Sequence, residues 1–320
     1  MINIAFIGNP NVGKTALINK ISNASLKIGN WPGVTIEKKE VFFNIENDEI
    51  KLIDLPGIYN LSVSTPEERI VGSFLIEEDI DVIINVIDST SLERNLYLTS
   101  LLKEMGKPMI LALNFSDEFQ KLNYIIDMEK FQKQIGIQGV FTSGRTGVGI
   151  DELMKKAVSL AKKQENQKHI PYRITFDNDI EEEINNVRKK ITENEKYGEV
   201  IKRYSPDWLA IRIIEDDTSL LATMKQKFGV DLSENTDEDR RRLVKKYDME
   251  TSDLLARARY GAVRGIVSGI LQRGSRNKFE LTDKIDKVLL NKFGGGIAFL
   301  LIIYSMKKKK KNAEVSAEIG

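Results

Sequence analysis

No cysteine occurs anywhere in the 320 residues. Disulfides, iron–sulfur ligation and a thiol nucleophile are therefore excluded. Histidine is almost as scarce, with His169 alone in the polar stretch after Lys163. A His-based metal centre or a catalytic triad has almost no material, and His169 reads as a solvated linker residue. An excess of one charge is missing as well. The 48 basic and 47 acidic side chains leave a net charge of +1, so no broad field for nucleic acid exists and nucleic acid is not an expected partner. No signal peptide is visible, because Met1 leads straight into an apolar run, and the start of the chain is expected to be cytosolic. No internal repeat is present. What is there is a globular composition, 41% hydrophobic and 30% charged, in a chain long enough to suggest two domains.

The first half, residues 1 to about 165, alternates strand-like and helix-like segments, which predicts a mostly parallel α/β sheet. Strands are expected at Ile2–Ile7, Asp81–Asp88, Pro108–Leu113 and Gly139–Thr142. An antiparallel hairpin is expected from Val41–Ile45 and Ile50–Ile53 around Glu46–Glu49, with helices at Leu92–Met105 and Met128–Gln134. A polar linker is read at 164–171. From about Tyr172 the pattern becomes helical, with Ile180, Ile184, Val187 and Ile191 at steps of three or four. Ser205-Pro206 marks a helix start, and Thr236 with Asp239 resembles a capping box. The apolar run Phe293–Met306 spans about 21 Å as a helix, short of the ~30 Å hydrocarbon core. Lys307–Lys311 follow it directly, and basic residues from Arg257 to Lys292 precede it. A core or interfacial helix and the start of a cut-off transmembrane helix are both open readings. The flanking charge and the apolar run together suit an anionic membrane surface.

The stretch that organises the chain is Gly8-Asn9-Pro10-Asn11-Val12-Gly13-Lys14-Thr15, between the strand Ile2–Ile7 and a helical pattern that starts at Ala16. Strand, glycine-bounded loop, Lys-Thr and helix form the phosphate-loop arrangement. Gly8 and Gly13 let backbone N–H groups converge on phosphate oxygens. The helix N-terminus adds partial positive charge, Lys14 reaches the β- and γ-phosphates, and the Thr15 hydroxyl suits Mg2+.

Asp54-Leu55-Pro56-Gly57 comes next in order. Its Asp suits the magnesium shell, and the Gly57 N–H suits the γ-phosphate. Asn114-Phe115-Ser116-Asp117 ends the third central strand. The Asp117 carboxylate matches the two donors of guanine N1 and N2, and Phe115 stands where such motifs carry Lys and offers a ring face to the base. Thr142-Ser143-Gly144 follows the next strand, and its N–H groups suit guanine O6. Between the first two motifs, Gly33-Val34-Thr35 places a threonine fit to complete the magnesium shell when a γ-phosphate is present. After Gly57 come Ile58 and Tyr59; neither orients an attacking water, which predicts slow turnover unless a group or ion is supplied.

These residues resemble a known family. Gly-Asn-Pro-Asn-x-Gly-Lys-Thr, Gly29-Asn30-Trp31-x-Gly33-Val34-Thr35 and Asp54-Leu55-Pro56-Gly57-x-Tyr59 are similar to the cytosolic part of FeoB-type bacterial ferrous iron transporters, with Gly-Asn-Trp the most discriminating. The resemblance covers about residues 1–306. It implies an α/β P-loop GTPase (Ras-like) domain over 1–165 and a small all-α helical domain, similar to a GDP-dissociation inhibitor, over 172–270. It also implies a lead-in and incomplete transmembrane segment over 280–306, then a polybasic tail over 307–320. The implied ligands are GTP or GDP, Mg2+ at Thr15, Thr35 and Asp54, and K+ at Asn11 with carbonyls of the loop holding Gly29 and Trp31. A potassium ion there takes the electrostatic place of an arginine finger. Lys14, Thr35 and Gly57 are the implied catalytic groups, and Ala16 closes the phosphate loop. The implied setting is the cytoplasmic side of the bacterial membrane, with a membrane permease part or the membrane surface as partner and a homo-oligomer as a further possibility.

Three functions fit this pattern: a potassium-activated GTPase regulating ferrous iron uptake, an RNA- or ribosome-associated (or tRNA-modification-type) GTPase, and a nucleotide sensor with negligible hydrolysis. The second usually carries a basic RNA-binding appendage. Glu181-Glu182-Glu183 and Asp237-Glu238-Asp239 oppose the lysines in this one.

Overall fold

The central strand of the fold is β1 (Ile2–Gly8), whose alternate residues supply both faces of one sheet. In the computed structural model the described residues are 1–21, 25–31, 34–61, 65–164, 174–234 and 236–272. Residues 165–171 of the expected linker, with His169, the glycine Gly33, and the C-terminal lead-in, apolar run and lysine tail lie outside them, while Gln164 ends a helix. Residues 1–272 form one unit and 273–320 another; the description below concerns the first.

After β1 come α1 (Lys14–Ile21), β2 (Ser25–Asn30), β3 (Glu37–Ile45), β4 (Asp48–Asp54), α2 (Pro66–Glu77), β5 (Val82–Asp88), α3 (Leu92–Glu104), β6 (Met109–Asn114), α4 (Ser116–Lys121), β7 (Ile125–Ile126), α5 (Met128–Ile135), β8 (Gly139–Phe141) and α6 (Ile150–Gln164). Seven strands form one sheet in the order β2-β3-β4-β1-β5-β6-β8. The β4, β1, β5, β6 and β8 neighbours are parallel, and β2 and β3 run in antiparallel pairs. The expected hairpin is present as β3–β4, turned at Glu46 with φ of 54°. Strand β2 is an additional edge that the sequence pattern does not show.

Period-two patterning sorts the sheet residues. Ala5 and Ile7 face a core shared with α2, α3 and α5. Ile4 and Phe6 face the opposite core, closed by Leu17 and Ile18 of α1 and Leu153, Ala157 and Val158 of α6. Helix α2 starts on a true capping box: the Thr65 side chain accepts from the Glu68 N–H and the Glu68 carboxylate accepts from the Thr65 N–H, with Pro66 in the first turn.

The second half is helical: α7 (Asn178–Thr192), α8 (Gly198–Arg203), α9 (Pro206–Ile214), α10 (Thr218–Phe228), α11 (Asp237–Tyr247) and α12 (Thr251–Ile270), followed by β9 (Leu271–Gln272). Ile180, Ile184, Val187 and Ile191 bury one stripe of α7 against α9 and its neighbours. Ser205 caps α9 as expected, accepting from the Trp208 N–H at 3.5 Å. The Thr236–Asp239 capping box does not form. Thr236 donates to the Ser233 carbonyl instead, and the buried Asp239 carboxylate is drawn to Lys190 and Arg242, stronger partners than a neutral backbone N–H.

Helix α12 belongs to both halves. Leu254 and Leu255 pack in the helical core, while Val263, Val267 and Ile270 pack against the sheet-side core. Its 20 residues make a strut of about 30 Å. Beyond it β9 pairs with β7, Ile126 opposite Leu271. Among the described residues no helix is long and apolar enough to cross a membrane.

Candidate functional site

The site gathers at the C-terminal ends of the parallel strands, where open α/β sheets place their ligands. Strand β1 ends at Gly8, where any side chain would meet the Val86 carbonyl, 2.2 Å from a built Cβ. The loop then turns through two left-handed residues, Asn11 (φ 63°) and Gly13 (φ 84°). Asparagine tolerates that region better than most side chains. At Gly13 a Cβ would lie 2.3 Å from Asn114 Nδ2. Gly13→Ala is therefore expected to cost about 1–3 kcal/mol of stability, read as a lower thermal midpoint.

Lys14 opens α1 with its side chain buried. Its Nζ donates to the Gly8 and Asn9 carbonyls at 3.3 and 3.4 Å. Burial pushes its pKa down, and the Asp54 carboxylate opposes that. Asp54 mirrors it: burial raises its pKa, and Lys14 and Lys39 pull it back. Asp54 Oδ1 and both side-chain polar atoms of Asn9 are buried without a hydrogen-bond partner. A buried lysine among orphaned acceptors and donors suits a phosphorylated ligand carrying a cation.

The second motif lies directly on the first. Asp54 pairs with Phe6 across β4 and β1, the Leu55 N–H donates to the Phe6 carbonyl at 3.0 Å, and the Ile58 N–H to the Gly8 carbonyl at 3.2 Å. Pro56 completes this turn between the two motifs. A Cβ on Gly57 would sit 2.9 Å from Pro10 Cα and 3.3 Å from Lys14 Nζ, so only glycine fits without a shift. Ile58 is buried in the core and Tyr59 is exposed. Thr15 and Ala16 are exposed on α1, and Val12 is buried.

Asn114, fully buried at the end of β6, is the tie between base motif and phosphate loop. Its Nδ2 donates to the Val12 carbonyl at 2.8 Å, and its Oδ1 accepts from the Gly144 N–H at 3.0 Å and from Thr142 Oγ1 at 3.5 Å. Phe115 adopts φ of 61° and places its ring against the loop glycine, 3.3 Å from a Cβ built on Gly13. Ser116 starts α4, its N–H bonded to the Thr142 carbonyl at 3.0 Å. The Asp117 carboxylate accepts from Ser143 Oγ at 2.9 Å and from Arg145 Nη2 at 2.5 Å. Burial opposes its ionisation, but Ser143 and Arg145 outweigh it and hold the carboxyl below its ordinary range. Sequence reasoning missed Arg145; its place one residue beyond Gly144 was the only signal.

Other expected residues are not drawn in by hydrogen bonds. Thr35 is exposed in the turn before β3, and no hydrogen bond joins it to Thr15 or Asp54 among the described residues. Val34 packs partly buried against the sheet-side core. Gly29 sits in the β2–β3 ladder opposite Lys38, with β3 and β4 between β2 and β1. The Trp31 carbonyl accepts from the Val34 N–H at 3.3 Å. Its indole is buried, edge-on to Phe74 of α2 at 5.4 Å, so the residue read as a family signature and part of an ion loop is also a core residue.

Comparison with known proteins gives the same picture. A family profile described as "Ferrous iron transport protein B" matches residues 2–157, and one described as "FeoB cytosolic helical domain" matches residues 176–272. The Fe(2+) transport protein A/Fe(2+) transporter FeoB fusion protein of Porphyromonas gingivalis is 34% identical over 96% of this chain and 36% of its own length. The chain thus spans a little over a third of the curated relatives it matches, 38% for the FeoB of Escherichia coli K12. Among solved structures, the cytosolic domain of the T. maritima FeoB iron transporter in a GDP form is 34% identical, with a TM-score of 0.70 over 85% of this chain and 98% of that one. The GDP-bound A143S mutant of the S. thermophilus FeoB G-domain is 28% identical, with a TM-score of 0.74 over 85% of this chain and 100% of that one. An α/β G-domain followed by a helical domain, matched at this identity over nearly the whole of a solved cytosolic domain, has one reading: the chain belongs to the FeoB family of ferrous iron transport proteins and carries the cytosolic G-domain and helical domain of that family.

Proposed function

We propose that this chain binds GTP and hydrolyses it to GDP and phosphate as the G-protein part of a ferrous iron uptake system, at the cytoplasmic face of the bacterial membrane. The observation that carries the reading is Asn114, which ties the phosphate loop at Val12 to Gly144, in the same loop whose Ser143 holds the Asp117 carboxylate. The GDP-bound state of the S. thermophilus and T. maritima relatives supports guanine nucleotide.

In this reading the loop from Gly8 to Ala16 takes the phosphates, Asp117 reads the base, and Thr142 to Gly144 close over it. Mg2+ would be held by Thr15 and Thr35 with Asp54 behind them; the unpartnered buried Asp54 Oδ1 fits that duty. The Gly57 N–H and Lys14 would meet charge developing on the γ-phosphate. With Ile58 in the core, the chain has no side chain at that position to orient water. A K+ at Asn11 would supply the missing positive charge, with the segment from Gly29 to Gly33 as its second support. We assign the G domain to residues 1–165 and the coupling helical domain to 172–270, with a membrane permease part as partner.

GTP turnover in potassium and in sodium tests this. Turnover is expected to be faster in potassium, and Asn11→Ala is expected to remove the difference. A difference that survives the substitution refutes the ion assignment, and no turnover in either salt leaves a nucleotide sensor instead.

A further inference from the structure

A cavity of about 40 Å³ lies between α2 and the helical half. Helix α2 contributes Arg69 and Ser73 to its wall, α9 contributes Trp208 and Arg212, and Asp217 and Ser219 come from the start of α10. Trp208 and Arg212 stand one turn apart on α9 and so share a face. Both are 4% exposed. Trp208 Nε1 and Arg212 Nε have no hydrogen-bond partner, although the two Arg212 Nη atoms bind Glu104 and Glu215. Buried donors in native proteins are almost always satisfied, and both orphans belong to residues that line this cavity.

Other features select a negatively charged acceptor. Arg69 is exposed on α2 and brings an unburied guanidinium to the same wall. The N-terminus of the 11-residue α10 opens on the same space, with its partial positive charge. The Asp217 carboxylate already caps that helix, accepting from the Leu220 N–H at 3.1 Å. Burial and the neighbouring Glu215 push its pKa up, against the Leu220 N–H and Arg212. A water needs ~10–15 Å³ of such space, so roughly three fit, about the bulk of a small oxyanion.

We propose that this cavity is a binding site for a small tetrahedral oxyanion of the phosphate class, held by Trp208 Nε1, Arg212 Nε and Arg69 and bridging α2 to α9 and α10. Helix α2 follows the Asp54–Gly57 motif, so an occupant ties that motif to the helical half. Phosphate released by hydrolysis is one source of it, and that clause alone rests on the GTPase reading.

Equilibrium binding of radiolabelled inorganic phosphate to the full chain, without nucleotide, tests the site. In Lys14→Ala, which removes the phosphate-loop cation, one phosphate per chain is expected. Adding Trp208→Phe or Arg69→Gln is expected to weaken it about tenfold. No binding by Lys14→Ala, or equal binding with and without Trp208→Phe, overturns the proposal. Fluorescence gives a second measure that leaves Lys14 intact. The chain has two tryptophans, so Trp31→Phe leaves Trp208 as sole reporter. Its emission is expected to change with phosphate but not with equal ionic strength of chloride, and to stop changing when Arg69→Gln is added. An emission indifferent to phosphate, or a response unaffected by Arg69→Gln, refutes it.

Discussion

Glu104→Ala is expected to destabilise the chain by about 3–5 kcal/mol, read as a lower urea midpoint at unchanged slope. Glu104 is the last residue of α3, and its side chain is wholly buried. Arg259 of α12 meets it through Nε at 2.6 Å and Nη2 at 2.9 Å, and Arg212 of α9 through Nη2 at 2.8 Å. Glu215 closes the ring by pairing with both arginines. The set is neutral, two cations against two carboxylates. Removing Glu104 leaves two buried guanidiniums with one partner, and arginine cannot escape by deprotonating. The stacked pair Tyr97–Tyr260, 4.2 Å apart on the same two helices α3 and α12, would remain but does not replace the charge. The contrast is Lys156→Ala on α6. Lys156 and Glu152 are both exposed on that helix, 2.7 Å apart, and such a pair is worth under about 1 kcal/mol. Equal losses in the two variants would mean that water reaches the ring. The ring also sets an acid dependence. Burial opposes the ionisation of Glu215, but Arg212 and Arg259 outweigh it and depress its pKa. Its contribution is therefore complete above the ordinary value of 4.5 and is lost as pH falls through the depressed one.

This junction shows what the sequence could not display. Glu104 lies 108 positions from Arg212 and 155 from Arg259, and no local period connects them. The nucleotide-type motifs were legible because each is a strand end, a loop and a following residue, all within a few positions. Strand β2 was not, because Ser25–Asn30 has glycine inside and lies at an edge, where only one neighbour imposes a pattern. Trp31 was read as a family signature and, through the resemblance, as part of an ion loop. Its packing partner Phe74 comes from α2, beyond the reach of local patterning. Thr236 and Asp239 had cap spacing, but Lys190, 49 positions away, competes for the same carboxylate. The stripe of α7 was legible throughout, since an apolar face at steps of three and four has one way to be buried.

Asp117→Ala is expected to weaken GTP by about 10²–10⁴-fold and to leave ATP affinity unchanged. Guanine offers two donors to this carboxylate, and each charge-assisted hydrogen bond is worth about 1.5–3 kcal/mol. Adenine offers no such pair, so it has nothing to lose. The substitution does not undo the frame around it. Asn114 still links Val12 to Gly144, and Arg145, two-thirds exposed, returns to water. Thermal stability is accordingly expected to fall by less than about 1 kcal/mol, which separates lost recognition from lost folding. Titration of GTP and ATP against one fluorescent nucleotide reads the ratio, and equal loss of both would refute base recognition by Asp117. The same carboxylate must be ionised to accept both donors. Ser143 and Arg145 keep its pKa depressed against the effect of burial, so preference for guanine should persist below the ordinary aspartate range. It should then fade as pH falls through the depressed value. Arg145→Ala removes one of those two donors and should move the fade to higher pH, with the phosphate loop untouched.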